Sequence, residues 1–265
     1  MRPSTTNDHR DERASVLEAR DLTKAFGGIQ ALHDVSLSIP VGQVTALVGE
    51  NGAGKSTLIK CLSGVHKPDA GDILVDGQSV EFASPSEARG AGIETVHQDL
   101  ALAENLDVSS NIFLGRELRH GWHRGFALKK REMHAQSDKM LKNFGIRLPS
   151  VKAKLRNLSG GQRQGVSIAR ATGWGTRLIV MDEPTAALGV NETQRVLEII
   201  TELAQKQLGV LVVSHSLNDV FEVSDRIWVL RQGKLVASPA TRDTSHEEIV
   251  QYITGLATAN DKEEA

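Results

Sequence analysis

Eight residues, Gly49-Glu50-Asn51-Gly52-Ala53-Gly54-Lys55-Ser56, constrain this chain more than any other feature. They follow a short apolar run, Val44–Val48, and open a helical pattern, the strand–loop–helix order of a phosphate-binding P-loop. Glycines let the backbone turn so that successive N–H groups face one anion, and the helix N-terminus adds partial positive charge there. Lys55 would then reach the β- and γ-phosphates of a nucleotide, and Ser56 would hold Mg²⁺. Gly49, Glu50, Asn51, Gly52, Ala53, Gly54 and Thr57 complete the expected nucleotide-binding set.

Leu178-Ile179-Val180-Met181-Asp182-Glu183 supplies a second half. A buried strand closed by two acids can present Asp182 to the magnesium, directly or through water, while Glu183 faces the attacking water as general base or orienting group. An apolar run ending in Asp-Glu is commonplace on its own. After a P-loop, and followed by Pro184-Thr185, it points to nucleotide hydrolysis.

Val16 to Pro40 alternates apolar and polar residues, and Gly71 to Val80 gives a short pair with Asp76-Gly77 as its turn; together they predict a small antiparallel sheet. Val44–Val48, Leu178–Met181 and Val210–Val213 are continuous apolar runs, as in parallel strands buried on both faces. Val190 to about Lys206 puts Val196, Ile199, Ile200 and Leu203 on one helical face. Asn105 to Asn157 is helix-rich and short of strand signals. The expected fold is therefore α/β: a P-loop NTPase (RecA-like) core, about 15–98 and 165–257, with an N-terminal antiparallel subdomain and a helical subdomain inserted at about 99–164. Residues 1–14 read as a disordered lead-in and 258–265 as a flexible tail.

The formal net charge of −2 gives no global basic field, so nucleic acid is not an expected partner. Cys61 is the single cysteine, which excludes an internal disulfide and makes the reducing cytosol the expected compartment. No apolar stretch approaches the ~20 residues of a membrane-spanning helix. Cys61, His33, His97, His123 and His134 read as surface or helix-packing residues.

Leu158-Ser159-Gly160-Gly161-Gln162, just before a helix read as Arg163 to Ala171, offers a second anion cradle. Lying shortly before the acid-tipped strand, it resembles the signature of ABC ATPases, and the resemblance runs from Leu17 to about Gly233. It implies that Ser159, Gly160, Gly161 and Gln162 close over ATP held by a second copy, with Ser159 and Gly161 on the γ-phosphate. It also implies that Gln98 belongs to a Q-loop that senses magnesium and touches membrane subunits. His215 would be the switch histidine, and Phe26 would stack on adenine, where tyrosine is commoner. The pattern departs at Gly189, where the family's D-loop usually has aspartate, so that loop's cross-dimer contact is not carried over.

Gly49 to Lys60, Ser84 to Gln98 and Asn111 to Glu117 resemble ribose-, xylose- and fructose-type importers in particular. With one P-loop and one signature the chain is similar to their single-cassette branch. That resemblance implies an ATPase homodimer on the cytoplasmic face of the cell membrane, integral permease subunits, and an extracytoplasmic sugar-binding protein. An exporter ATPase and a soluble ABC ATPase of translation or DNA repair stay open beside it, although the latter usually carries two cassettes or long coiled coils. A P-loop small-molecule kinase would leave Leu158–Gln162 without a task.

Overall fold

Alternation from Val16 to Pro40 folds as two long strands, β1 (Ser15–Phe26) and β2 (Ile29–Pro40), antiparallel and joined through Gly27-Gly28. The computed structural model describes residues 14–121 and 127–257. The expected lead-in up to Arg13, the expected tail 258–265 and His123 lie outside the described residues.

The second strand pair also forms as expected. β4 (Ala70–Val75) lies antiparallel to β1, and β5 (Gln78–Val80) returns through Asp76-Gly77, whose φ values of 50° and 77° suit a two-residue hairpin turn. The sheet order is β2-β1-β4-β5.

A second sheet carries β3 (Val44–Val48), β6 (Ile93–Val96), β7 (Leu178–Asp182), β8 (Gly209–Val213), β9 (Arg226–Arg231) and β10 (Lys234–Ala237), in the order β10-β9-β3-β8-β7-β6. All its pairings are parallel except β10 on β9. Strands β3, β7 and β8 are the three apolar runs. Successive residues go to opposite faces: Ile179, Met181, Val210 and Val212 into one core, Leu178, Val180, Leu211 and Val213 into another. Both faces are covered, so these runs are apolar throughout except for Thr45 of β3, which is itself buried. Each fully buried aliphatic side chain contributes roughly 1.5–3 kcal/mol of transfer free energy.

The helices are α1 (Lys55–Leu62), α2 (Pro85–Gly90), α3 (Val108–Ile112), α4 (Lys130–Asn143), α5 (Gly160–Thr172), α6 (Val190–Gln205), α7 (Leu217–Val223) and α8 (His246–Thr254). One core joins the antiparallel sheet to α1 and one face of the central sheet; the opposite face takes α3 to α6. A smaller core sits between β3, β9, α7 and α8. The stretch Asn105 to Asn157 holds α3, α4 and a one-turn helix at Leu155–Asn157. Its loop is tied by Asn111, fully buried, whose amide donates to the Ala103 and Asp107 carbonyls (both 3.0 Å) and accepts from the Ala103 N–H (2.7 Å). Helix α5 packs on α3 and α4 and also on β6 and α6, so one helix joins the insert to the core.

Candidate nucleotide site

Register brings the chemistry-bearing residues to one edge. Across the parallel strands, Leu47 pairs with Val213, Val213 with Asp182, and Met181 with Val96. One or two residues further along lie Gly49, Ser214-His215, Glu183 and His97-Gln98, on strands spaced ~4.8 Å apart. Open α/β sheets bind ligands beyond the carboxyl ends of their strands.

The loop Gly49–Gly54 leaves β3 and enters α1. Gly49 and Gly54 are imposed by close approach. A β-carbon at Gly49 would lie 2.1 Å from the Leu230 carbonyl oxygen, and one at Gly54, whose φ is 105°, would lie 2.6 Å from that of Ala31. Ala53 is buried, and its carbonyl accepts from the Gly233 N–H at 2.9 Å, so the turn between β9 and β10 braces the loop from behind. The Lys55 ammonium donates to the Gly49 and Glu50 carbonyls at 2.7 and 2.9 Å. Burial pulls its pKa down, against the attraction of Glu183 and Asp182. Glu50, Asn51, Gly52 and Ser56 are exposed; Thr57 is half-buried. An ammonium already held in the cradle needs little reorganisation to meet a phosphate.

The two acids at the end of β7 differ. Burial raises the Asp182 carboxyl, the negative charge of Glu183 raises it further, and His97, Lys55 and Lys60 oppose both. Glu183 has left-handed backbone (φ 52°), a conformation that costs a non-glycine residue of order 1–3 kcal/mol and gathers at functional sites. It is locked there by its N–H, which donates to the Val213 carbonyl at 2.8 Å. His215 Nδ1 lies 2.7 Å from the Glu183 carboxylate. Two steps on, Thr185 donates to Asp219 at 2.6 Å, fixing the chain after Pro184. The site therefore holds a lysine, two carboxylates and a histidine around one loop.

The signature requires a correction. Its helix does not begin at Arg163 with the glycines ahead of it. Ser159 is the N-cap, and Gly160 and Gly161 form the first turn of α5. The Ser159 hydroxyl accepts from the Gln162 N–H at 3.3 Å, and the Gln162 side chain accepts from the Ser159 N–H at 3.0 Å. This reciprocal cap satisfies the helix end so well that glycines do not delay it. Among the described residues, no hydrogen bond from Ser159–Gln162 reaches the Gly49–Thr57 loop of the same chain. Phe26, at the end of β1, and Gln98, just beyond β6, are both exposed.

Some neighbours escaped the sequence reading. From the sequence, His97 reads as a surface or helix-packing residue. It is exposed, but its charge acts on Asp182, since β6 lies alongside β7. Recognising Ile93–Val96 as a parallel strand would have pointed to it. Arg170 on α5 donates to the Leu100 and Ala101 carbonyls at 3.0 and 2.9 Å, just past Gln98, and nothing local marks that contact.

The sequence profile of the ABC transporter family matches residues 32–186. The xylose/arabinose import ATP-binding protein of Sulfolobus acidocaldarius is 48% identical over 92% of this chain and 96% of its own length. The fructose import ATP-binding protein of Rhizobium meliloti is 42% identical, over 91% and 94% respectively. Against a ribose import ATP-binding protein of Escherichia coli O157:H7, 41% identical, the chain spans only 46% of the longer protein. Among solved structures, a nucleotide-free cassette of an ABC transporter superposes with a TM-score of 0.76 at 28% identity, covering 91% of this chain and 95% of that one. A dimeric cassette in a post-hydrolysis state, bound to ADP and phosphate, gives 0.71 at 26%, covering 85% and 99%. With its P-loop, acid-tipped strand and signature all carried on that fold, the chain belongs to the ABC transporter family, as an ATP-binding and ATP-hydrolysing cassette.

Proposed function

We propose that this cassette works as a homodimer on the cytoplasmic face of a membrane and drives monosaccharide import through separate permease subunits, which receive sugar from an extracytoplasmic binding protein. The substrate class is supported by two relatives that share nearly the whole chain and whose names specify import of xylose/arabinose and of fructose. Gly49–Lys60, Ser84–Gln98 and Asn111–Glu117 resemble the same group. No helix among the described residues is long and apolar enough to cross a membrane, so the path itself would belong to the permease.

The observation that carries the hydrolytic roles is the strained Glu183, held by β8 and in contact with His215 at 2.7 Å within the same strand-end row as the P-loop. ATP would lie with adenine on Phe26 and its phosphates in the cradle of Gly49 to Thr57. Lys55 would exchange two loop carbonyls for phosphate oxygens. Glu183 would take a proton from the attacking water, and His215 would hold that carboxylate in place. Ser56, Gln98 and Asp182 suit Mg²⁺, being hard oxygen donors with a single carboxylate, the kind of partial set that leaves room for water and phosphate. When bound, the ion would neutralise charge on the β- and γ-phosphates. Ser159 to Gln162 would come from the second copy.

Two variants test the roles. Lys55→Ala loses a charge-assisted contact worth ~1.5–3 kcal/mol, so ATP affinity should fall about tenfold or more. Glu183→Gln keeps shape but not basicity, so ATP binding should persist while phosphate release falls roughly 10²-fold or more. Normal turnover by Glu183→Gln would remove the assigned base. Reconstitution with the cognate permease, comparing labelled pentoses and hexoses with amino acids, tests the substrate class.

A further inference from the structure

The first turn of α5 is already occupied from within the chain. Helix α6 begins at Val190, and its first turn carries Glu192 back toward Ser159. Built β-carbons measure how close the two helix starts lie. One at Gly161 would sit 2.9 Å from Cβ and 3.1 Å from Cγ of Glu192. One at Gly160 would sit 3.0 Å from a Leu188 methyl and 3.6 Å from Glu192 Oε2. Any side chain at Gly161 would push α6 away.

The Ser159 hydroxyl and the Gly161 N–H hold the Glu192 carboxyl below the ordinary carboxylate range, with Arg163 adding a smaller attraction. The carboxylate accepts from the Gly189 N–H at 3.4 Å. The Ser159 oxygen is engaged by the Gln162 N–H as well. The Gln162 N–H thus has its partner inside the chain. An anion arriving at this helix start meets a resident carboxylate packed beside Gly160 and Gly161. Two negative groups brought together there repel strongly.

We infer that Glu192 is an internal stand-in for the γ-phosphate, occupying the signature of the resting subunit and leaving it only when ATP on the partner subunit takes its place. This inference rests on the shared-site dimer proposed above. It gives the contact a consequence for assembly, because dimer closure has to displace a carboxylate at each of two symmetric sites. Nucleotide-poor dimers then stay open, since an empty P-loop offers nothing to replace the Glu192 charge.

The test uses the slow-turnover Glu183→Gln chain, so that ATP is not consumed while the monomer–dimer equilibrium is measured by sedimentation. Adding Glu192→Gln removes the charge but keeps one acceptor; Glu192→Ala removes both. The expected result is tighter ATP-dependent dimerisation in the order Ala, Gln, parent. The parent-to-Gln change should be roughly threefold per site and so about tenfold for a dimer with two sites. A residue that only caps α6 would instead lower thermal stability and leave the dimerisation constant unmoved. Unchanged or weaker dimerisation in both Glu192 variants, beside a parent that dimerises with ATP, overturns the inference alone. A parent that fails to dimerise with ATP overturns the shared-site reading on which it rests.

Discussion

Phe26 ends β1 as a residue 44% exposed, its ring edge-on to His66 at 5.2 Å, with the Lys24 ammonium 5.5 Å from the ring centre. The two neighbours fix the ring without covering it. A face presented this way can stack on any purine, and aromatic stacking of this kind is worth ~0.5–1.5 kcal/mol. Phe26→Ala is therefore expected to weaken ATP and GTP alike, each about two- to tenfold, in equilibrium binding. An unchanged ATP affinity would remove Phe26 from the site. Cys61 behaves oppositely: it is buried in α1, and burial pushes its thiol up to about 11. It should resist thiol reagents near neutral pH in the native protein and react once unfolded. Lys55, Asp182, Glu183 and His215 could be singled out together, because motif order ties each to a strand end or to the helix that follows one. Glu192 could not. Its partner Ser159 lies on a different helix, and only the packing of α5 against α6 brings them together.

At the scale of elements, Asn111 shows how a loop is held without a core of its own. Its amide exchanges two hydrogen bonds with Ala103 and gives a third to Asp107, whose side chain in turn caps α3 by accepting from the Ser110 N–H at 2.6 Å. Asn111→Ala would orphan buried backbone groups at about 1–3 kcal/mol each. Thermal unfolding should register that loss, and a stability equal to the parent's would show that water replaces the amide. The element pattern also explains what could be read from sequence. β3, β7 and β8 are buried on both faces and therefore almost wholly apolar, Thr45 of β3 apart, whereas β6 is four residues long and carries Glu94 and Thr95. β9 is bounded by Arg226 and Arg231, and β10 is largely half-exposed. These three strands gain their order from sheet neighbours far away in sequence, which no local period records. Helices α2 and α7, of six and seven residues, are too short to show a face; their local signals are confined to the first turn, the Ser84 and Ser216 caps with Pro85 and Glu87 in α2 and Asp219 in α7.

At the scale of the molecule, the count of parts decides the assembly. One P-loop and one signature occur per chain, and the hydrogen bonds of the signature close on its own helix start, not on its own P-loop. A second copy placed head to tail would bring Ser159 of each to the phosphate held by Lys55 of the other, and two-fold symmetry then makes two sites together. Complementation tests this in a way that single variants cannot. Lys55→Ala removes the phosphate grip of one chain, and Ser159→Arg fills the cradle of the other with a bulky cation. Alone, each variant places one lesion in both sites of its homodimer and should be nearly inactive. Mixed, the heterodimer concentrates both lesions in one site and leaves the other intact, so ATPase activity should partly return. The recovered rate should peak when the two chains are equimolar, because that ratio maximises the heterodimer. Activity that stays absent despite heterodimers detected by differential tagging would mean that the sites are not shared, or that one intact site cannot turn over unaided. Full activity of Ser159→Arg by itself would be the harsher result, since the second cradle would then take no part in hydrolysis.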